Sequence, residues 1–207
     1  MKLKKLIPLT LVLVCQGVIA GDLYVVGDVT HSKDSLKTSA FNSALSGAGA
    51  TGLSTSDSGS GNQWRLQLGY GLNSYLAIEG GYIDFGKAKY SATYSGGSAA
   101  GELKAGGADV VAVGKLPLSD NFYLFGKAGV VALKAESSLI ASTPATAANE
   151  KSTSNEVRPL VGLGASYKIT DNIDLRAEYD HVSGIGENNK IGTMDSNMIS
   201  MGVAYHF

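Results

Sequence analysis

The sequence predicts an all-β chain, an eight-stranded antiparallel up-and-down transmembrane β-barrel, on three observations. Apolar residues recur with period two along several short segments. The connections between those segments alternate between tight turns and long polar stretches. After residue 20 no run approaches the roughly 20 consecutive apolar residues that a helical span requires, and apolar spacing at i, i+3, i+4 is missing.

The first segment is read as a removable leader. Lys2, Lys4 and Lys5 precede a short apolar run over residues 6–14, and Val18 and Ala20 are small where a signal peptidase reads, which predicts a signal peptide over 1–20 and a barrel domain over 21–207. The single cysteine, Cys15, falls inside that leader. A β-branched Val14 before it disfavours a lipoprotein site. The mature chain is therefore expected to have no disulfide, no cysteine metal site and no thiol nucleophile.

Three strands are clean. Residues 63–71 place Trp64, Leu66, Leu68 and Tyr70 opposite Arg65, Gln67, Gly69 and Gly71. Residues 173–181 set Ile173, Leu175, Ala177 and Tyr179 against Asp174, Arg176, Glu178 and Asp180. Residues 199–207 set Ile199, Met201, Val203, Tyr205 and Phe207 against Ser200, Gly202, Ala204 and His206. Successive strand side chains point to opposite faces, so each segment has one apolar face. Weaker strands are expected near 23–30, 76–85, 108–116, 122–133 and 157–168.

Three connections are tight: Leu72-Asn73-Ser74, Pro117-Leu118-Ser119-Asp120 and Thr170-Asp171-Asn172. Each carries the Asn, Asp, Ser or Pro chemistry of a turn. Four others, near 32–62, 87–105, 135–156 and 184–196, read as long polar loops. Short turns at one end and long loops at the other are the mark of a membrane barrel, with the termini on the short-turn, periplasmic side. A soluble lipocalin-like barrel also alternates, with its apolar face inward. Three features favour the membrane: Tyr and Trp near the ends of the apolar faces, small residues among the polar ones, and an aromatic residue closing the final strand.

Composition excludes other classes. With the leader removed, 14 basic side chains face 18 acidic ones, a net −4, with no basic stripe for nucleic acid. His31, His181 and His206 lie far apart without metal-ligand spacing. No cofactor is expected. One constellation pairs a base with a nucleophile: His181 and Ser183 share a strand face, with Glu187 as a third member. It is similar to the His-x-Ser arrangement of outer-membrane lipid A deacylases, but Gly184-Ile185 do not match the residues after the serine in those enzymes, and no catalytic residue is assigned.

The run Gly69-Tyr70-Gly71-Leu72-Asn73-Ser74-Tyr75, continuing Glu79-Gly80-Gly81-Tyr82, resembles the second hairpin of the membrane barrel in the outer membrane protein A family. The resemblance is stronger in the C-terminal third. It includes Tyr167-Lys168-Ile169-Thr170, Leu175-Arg176-Ala177-Glu178-Tyr179, Ile191-Gly192-Thr193, and Ile199 through Phe207. It covers nearly all of the mature chain except the loops. It implies an integral protein of the bacterial outer membrane, in contact with membrane lipid and lipopolysaccharide. It also implies delivery by periplasmic chaperones and a barrel-assembly machinery that reads the aromatic Tyr205 and Phe207. Members often carry a peptidoglycan-binding domain after the barrel; this sequence stops at Phe207, so that tether is expected to be absent. Where the family pattern has a lumen-facing carboxylate, this chain has Ser166.

With apolar faces outward, the inward side chains include Glu79, Lys115, Lys127, Arg158, Arg176, Glu178 and Asp180. Charges in a narrow barrel are costly unless paired, so Glu79, Lys127, Arg176 and Glu178 are expected to neutralise one another. In the family, positions matching Glu79, Arg176 and Glu178 form such a network. The function expected is that of a structural surface protein displaying four extracellular loops, which contribute envelope integrity and contact an unidentified host or phage ligand. The alternative is a narrow gated ion channel. A lipid A deacylase ranks below both.

Overall fold

In the computed structural model of the chain, the described residues are 22–36, 46–47, 51–52, 54–58, 62–95, 97–142, 147–185 and 194–207. The expected leader, with Cys15, and Glu187 lie outside them. The described residues form nine strands: β1 (Asp22–Leu36), β2 (Ser54–Ser58), β3 (Asn62–Gly71), β4 (Leu76–Tyr94), β5 (Gly97–Pro117), β6 (Phe122–Ser142), β7 (Ala147–Lys168), β8 (Ile173–Ile185) and β9 (Met194–His206). Eight of them close a ring in the order β4-β3-β1-β9-β8-β7-β6-β5, and β5 pairs back to β4. Every pairing is antiparallel. Closure leaves no edge within the ring, which is what allows strands to cross a bilayer. The short β2 stands outside the ring and pairs with the far end of β4.

The alternation read from sequence decides which face is which. Leu66, Leu68, Ile78, Val110, Leu163, Leu175 and Val203 are all exposed on the outer wall. The polar positions that alternate with this belt, Arg65, Gln67, Glu79, Asp109, Ser166, Arg176 and Asp174, are buried inside. This inverts a soluble protein: the apolar belt faces outward and the polar set is enclosed. Aromatic residues bracket the belt. Trp64, Tyr82 and Tyr179 mark one boundary, where the Trp64 and Tyr82 rings lie 5.7 Å apart. Tyr75, Tyr167, Tyr205 and Phe207, exposed on the outer surface, mark the other.

The three tight turns share one geometry. The amides of Leu72, Leu118 and Ile169 donate to the carbonyls of Leu76, Phe122 and Ile173 at 2.8–2.9 Å. In the first, the Asn73 side chain accepts from the Tyr75 and Leu76 amides, the local bond that makes Asn a turn former.

The opposite end differs from the sequence expectation. Residues 87–105 and 135–156, read as loops, are mostly ladder. β4 and β5 pair up to Tyr94 with Gly97, β5 and β6 up to Ser98 with Ser142, and β6 and β7 up to Ser142 with Ala147. From Lys134 to Ser142 this is some 25 Å of extra strand at 3.3 Å per residue. The four strands stand as a wall above the boundary marked by Tyr82. Their buried face carries Ala88, Ala92, Ala99, Leu103 and Ala105. That is a period-two pattern written in alanine, whose low apolar contrast hides it. Two bulges, between Asp84 and Lys87 and between Val182 and Ile185, contain Gly86 and Gly184 at φ 69° and 70°. Such left-handed positions favour glycine.

Candidate functional site

Three cations, Arg65, Lys127 and Arg176, share the lumen with five carboxylates, Asp28, Glu79, Asp109, Glu178 and Asp180, and none of the eight is more than 4% exposed. The strand period delivers them. Arg176, Glu178 and Asp180 are successive inward positions of β8, and each other strand from β1 to β6 that belongs to the ring contributes one or more.

Arg176 Nη1 donates to Glu79 Oε1 at 2.7 Å, and its Nη2 lies 3.4 Å from Oε2. Tyr24 donates its hydroxyl to the same Oε1 at 2.8 Å, and the guanidinium stacks 4.5 Å above the Phe125 ring. Lys127 Nζ is 2.6 Å from Glu178 Oε2 and 3.1 Å from Asp180 Oδ2. The two pairs touch, because Arg176 Nη2 is 3.6 Å from Glu178 Oε2. All four residues singled out from sequence are therefore brought together.

Sequence reasoning leaves Asp28, Arg65 and Asp109 out of the lumen and places Asp180 inside without joining it to the network. Arg65 fans across three carboxylates. It donates from Nε and Nη2 to Asp28 Oδ2 at 3.0 and 2.9 Å, and from Nη1 to Asp180 at 2.7 Å. Glu178 also contacts it. Asp109 accepts from Gln67. The polar face that holds Arg65 is legible in its strand; what is missing there is that β1 puts Asp28 beside it. Arg158 keeps the inward face of β7 that it shares with buried Leu160, above the cluster, and pairs there with Glu156 at 2.8 Å. Ser166 is buried and donates to the Leu175 carbonyl at 3.4 Å, so no carboxylate enters there.

Inward glycines make the space. A Cβ on Gly162 would collide with the Asp180 carboxylate and a Cβ on Gly202 with that of Asp28. Gly202→Leu is expected to destabilise the folded barrel by about 1–3 kcal/mol, the usual cost of overpacking. Gly27→Ala, whose added methyl meets nothing within 4 Å, is expected to stay within about 0.5 kcal/mol. Urea midpoints in lipid vesicles separate the two, and equal midpoints would refute the packing account.

At the short-turn mouth, His206 bridges Asp22 at 2.7 Å and Asp174 at 3.2 Å and stacks on Tyr24 at 5.0 Å. Lys115 Nζ lies over the Tyr24 and Tyr123 rings at 5.0 and 5.7 Å. Tyr205 and Phe207 face outward, edge to face at 5.3 Å. His181 and Ser183 lie on the outer surface, and the His181 Nδ1 is 2.8 Å from the Asn197 side-chain oxygen. No group of three or more His, Cys, Asp or Glu suited to a metal ion occurs among the described residues.

A closed eight-stranded ring, an outward apolar belt between aromatic girdles and an ion-paired lumen define a small transmembrane β-barrel. The OmpA-like transmembrane domain family matches residues 30–207, and the chain belongs to that family, which makes it an integral protein of the bacterial outer membrane. Outer membrane protein A of Serratia marcescens is 31% identical over 141 residues, 68% of this chain and 38% of that protein. The Shigella flexneri protein of the same name is 32% identical over 140 residues, 67% and 38% respectively. The chain thus spans well under half the length of these curated relatives. Among solved structures, Neisserial surface protein A superposes with a TM-score of 0.54 at 20% identity, covering 89% of this chain and 97% of that one. The Yersinia pestis attachment invasion locus protein Ail does so with a TM-score of 0.51 at 14% identity, covering 91% and 100%. At these identities the likeness is one of fold.

Proposed function

We propose that the barrel is a non-enzymatic surface scaffold, with both ends of the ring's chain in the periplasm and its wall and loops outside the cell, where they contribute envelope integrity and contact host or phage surfaces. One observation carries this reading: tight four-residue turns at one end against strands of up to 22 residues at the other. Turns on the periplasmic side are kept short, and elaboration collects on the outside. On this reading Tyr205 and Phe207 are the signal engaged by the assembly machinery after periplasmic chaperones deliver the chain. The partners are outer-membrane lipid, lipopolysaccharide and a loop ligand, without nucleic acid or cofactor.

Single cysteines at Ser138 and Asp171 test the orientation. A membrane-impermeant maleimide is expected to label the first in intact cells and the second only after lysis; the reverse pattern would overturn it. The folded protein is also expected to run at a different gel position before and after boiling.

A second reading is a narrow gated channel. It is favoured by one contact, Glu178 lying between Lys127 and Arg176, so that exchange of partners would rearrange the lumen without creating a bare charge. Conductance in planar bilayers that changes in Arg176→Lys would support it. A conductance identical in wild type and variant would count against it.

A further inference from the structure

On the outer face of the wall, just above Tyr82, lies a groove of about 470 Å³ walled by Tyr82, Gly106, Ala132 and Val157 and rimmed by Lys134 and Asn155. Glycine at 106 is what admits the Tyr82 ring, because a Cβ there would sit 2.6 Å from the phenol oxygen. The floor is apolar; Lys134 and Glu156 are the charged residues among the groove's lining, and further lysines stand on the adjoining ladder positions. Gly106 pairs with Lys134, two residues on Lys104 pairs with Glu136, and Lys104 also faces Lys87 directly across β4–β5.

Like charges directly opposite in a ladder destabilise it. Glu102 answers Lys87 at 3.1 Å and Glu136 answers Lys134 at 2.6 Å. With Lys89 and Lys151, the outer face of the wall carries five lysines against those two acids and Asp84, which sits opposite Gly106. On the far flank, the outward positions above Tyr179 are His181 and Asn197, which bond to each other. Among the described side chains, the lysines of the outer face above the belt gather on the side that has the groove.

We propose that this groove is a seat for a phosphorylated, acylated saccharide lipid of the outer leaflet, the lipid A part of lipopolysaccharide. One acyl chain lies against Tyr82, Ala132 and Val157, and a phosphate is held by Lys87, Lys104 and Lys134. Charge complementarity selects the occupant: an aromatic boundary residue below and ammonium groups immediately above match the order of acyl chain then phosphate along such a lipid. The assignment rests on the wall facing outward.

The test uses the full folded chain in an uncharged detergent, with bound lipid counted by native mass spectrometry. Bisphosphorylated lipid A is expected to be retained in preference to its dephosphorylated form and to phosphatidylglycerol. The triple variant Lys87→Gln, Lys104→Gln, Lys134→Gln should weaken retention by about tenfold or more while keeping its shift on boiling. Ala132→Trp fills the groove without touching a charge and should weaken lipid A too. Unchanged retention in the triple variant, or equal retention of phosphatidylglycerol, overturns the proposal. Labelling of the Ser138 cysteine in whole cells reads the orientation separately, so a wall facing the periplasm is distinguishable from a groove that binds no lipid A.

Discussion

Replacing Arg176 by methionine is expected to destabilise the folded barrel by about 3–5 kcal/mol, the cost of leaving a buried partner charge uncompensated. Arg176 is 3% exposed and is the guanidinium that answers Glu79, itself 0% exposed. Without it, Glu79 retains only the Tyr24 hydroxyl, and Phe125 loses its stacked cation. The companion variant Glu79→Leu strands Arg176 instead, although Glu178 at 3.6 Å gives it a fallback, so its effect should be smaller. The double variant should recover much of the loss, because a buried ion pair exchanged for apolar groups of similar volume is often neutral. Urea unfolding in vesicles supplies the three values. Losses that simply add in the double variant would mean that the pair is not coupled.

Val203→Arg is expected to cost on the order of 1–3 kcal/mol, the penalty for a cation on the lipid face, which is about 2–4 kcal/mol at the middle of the bilayer and falls toward its boundaries. Val203 is 46% exposed on the outer wall, between Met201 and the boundary residue Tyr205. The neighbouring inward position already tolerates charge: Asp174 pairs across the ladder with Ala204 and is itself buried. A charged group is thus acceptable on one side of the sheet and costly on the other. If Val203→Arg unfolded at the wild-type urea midpoint, the outer belt would not be facing lipid.

The strands legible in the sequence are those with strong contrast between adjacent residues. Strands β3, β8 and β9 alternate large apolar with charged or tiny side chains, and their faces can be read without coordinates. The upper halves of β4 to β7 alternate alanine and leucine with lysine, serine and glycine, such as Ala99, Leu103 and Ala105. A methyl group differs too little from a hydroxymethyl for that period to stand out, and the segments read as loops. The lumen cluster is only partly legible, for a different reason. Residues on one strand, such as Arg176 and Glu178, announce their shared face. Arg65 meets Asp28, 37 residues away in the chain, through the β1–β3 ladder across a long connection, and meets Asp180, 115 residues away, only across the closed lumen, and no local pattern encodes either.

That closure also sets an order of events. The seam of the ring is β1 against β9, with Tyr24 opposite His206 and the Phe207 amide donating to the Leu23 carbonyl. Every other junction joins strands that are neighbours along the ring strands' sequence, so hairpins can zip one after another at small entropic cost. The seam alone joins strands separated by the rest of the barrel, and until it forms two ladders stand open in a medium that offers them no water. The incomplete sheet is therefore a species to be kept out of lipid, or shielded within it, until β9 arrives. Long-range pairing of this kind is intrinsically slow and exposed to aggregation, and that interval is when a chain of this architecture depends most on being escorted.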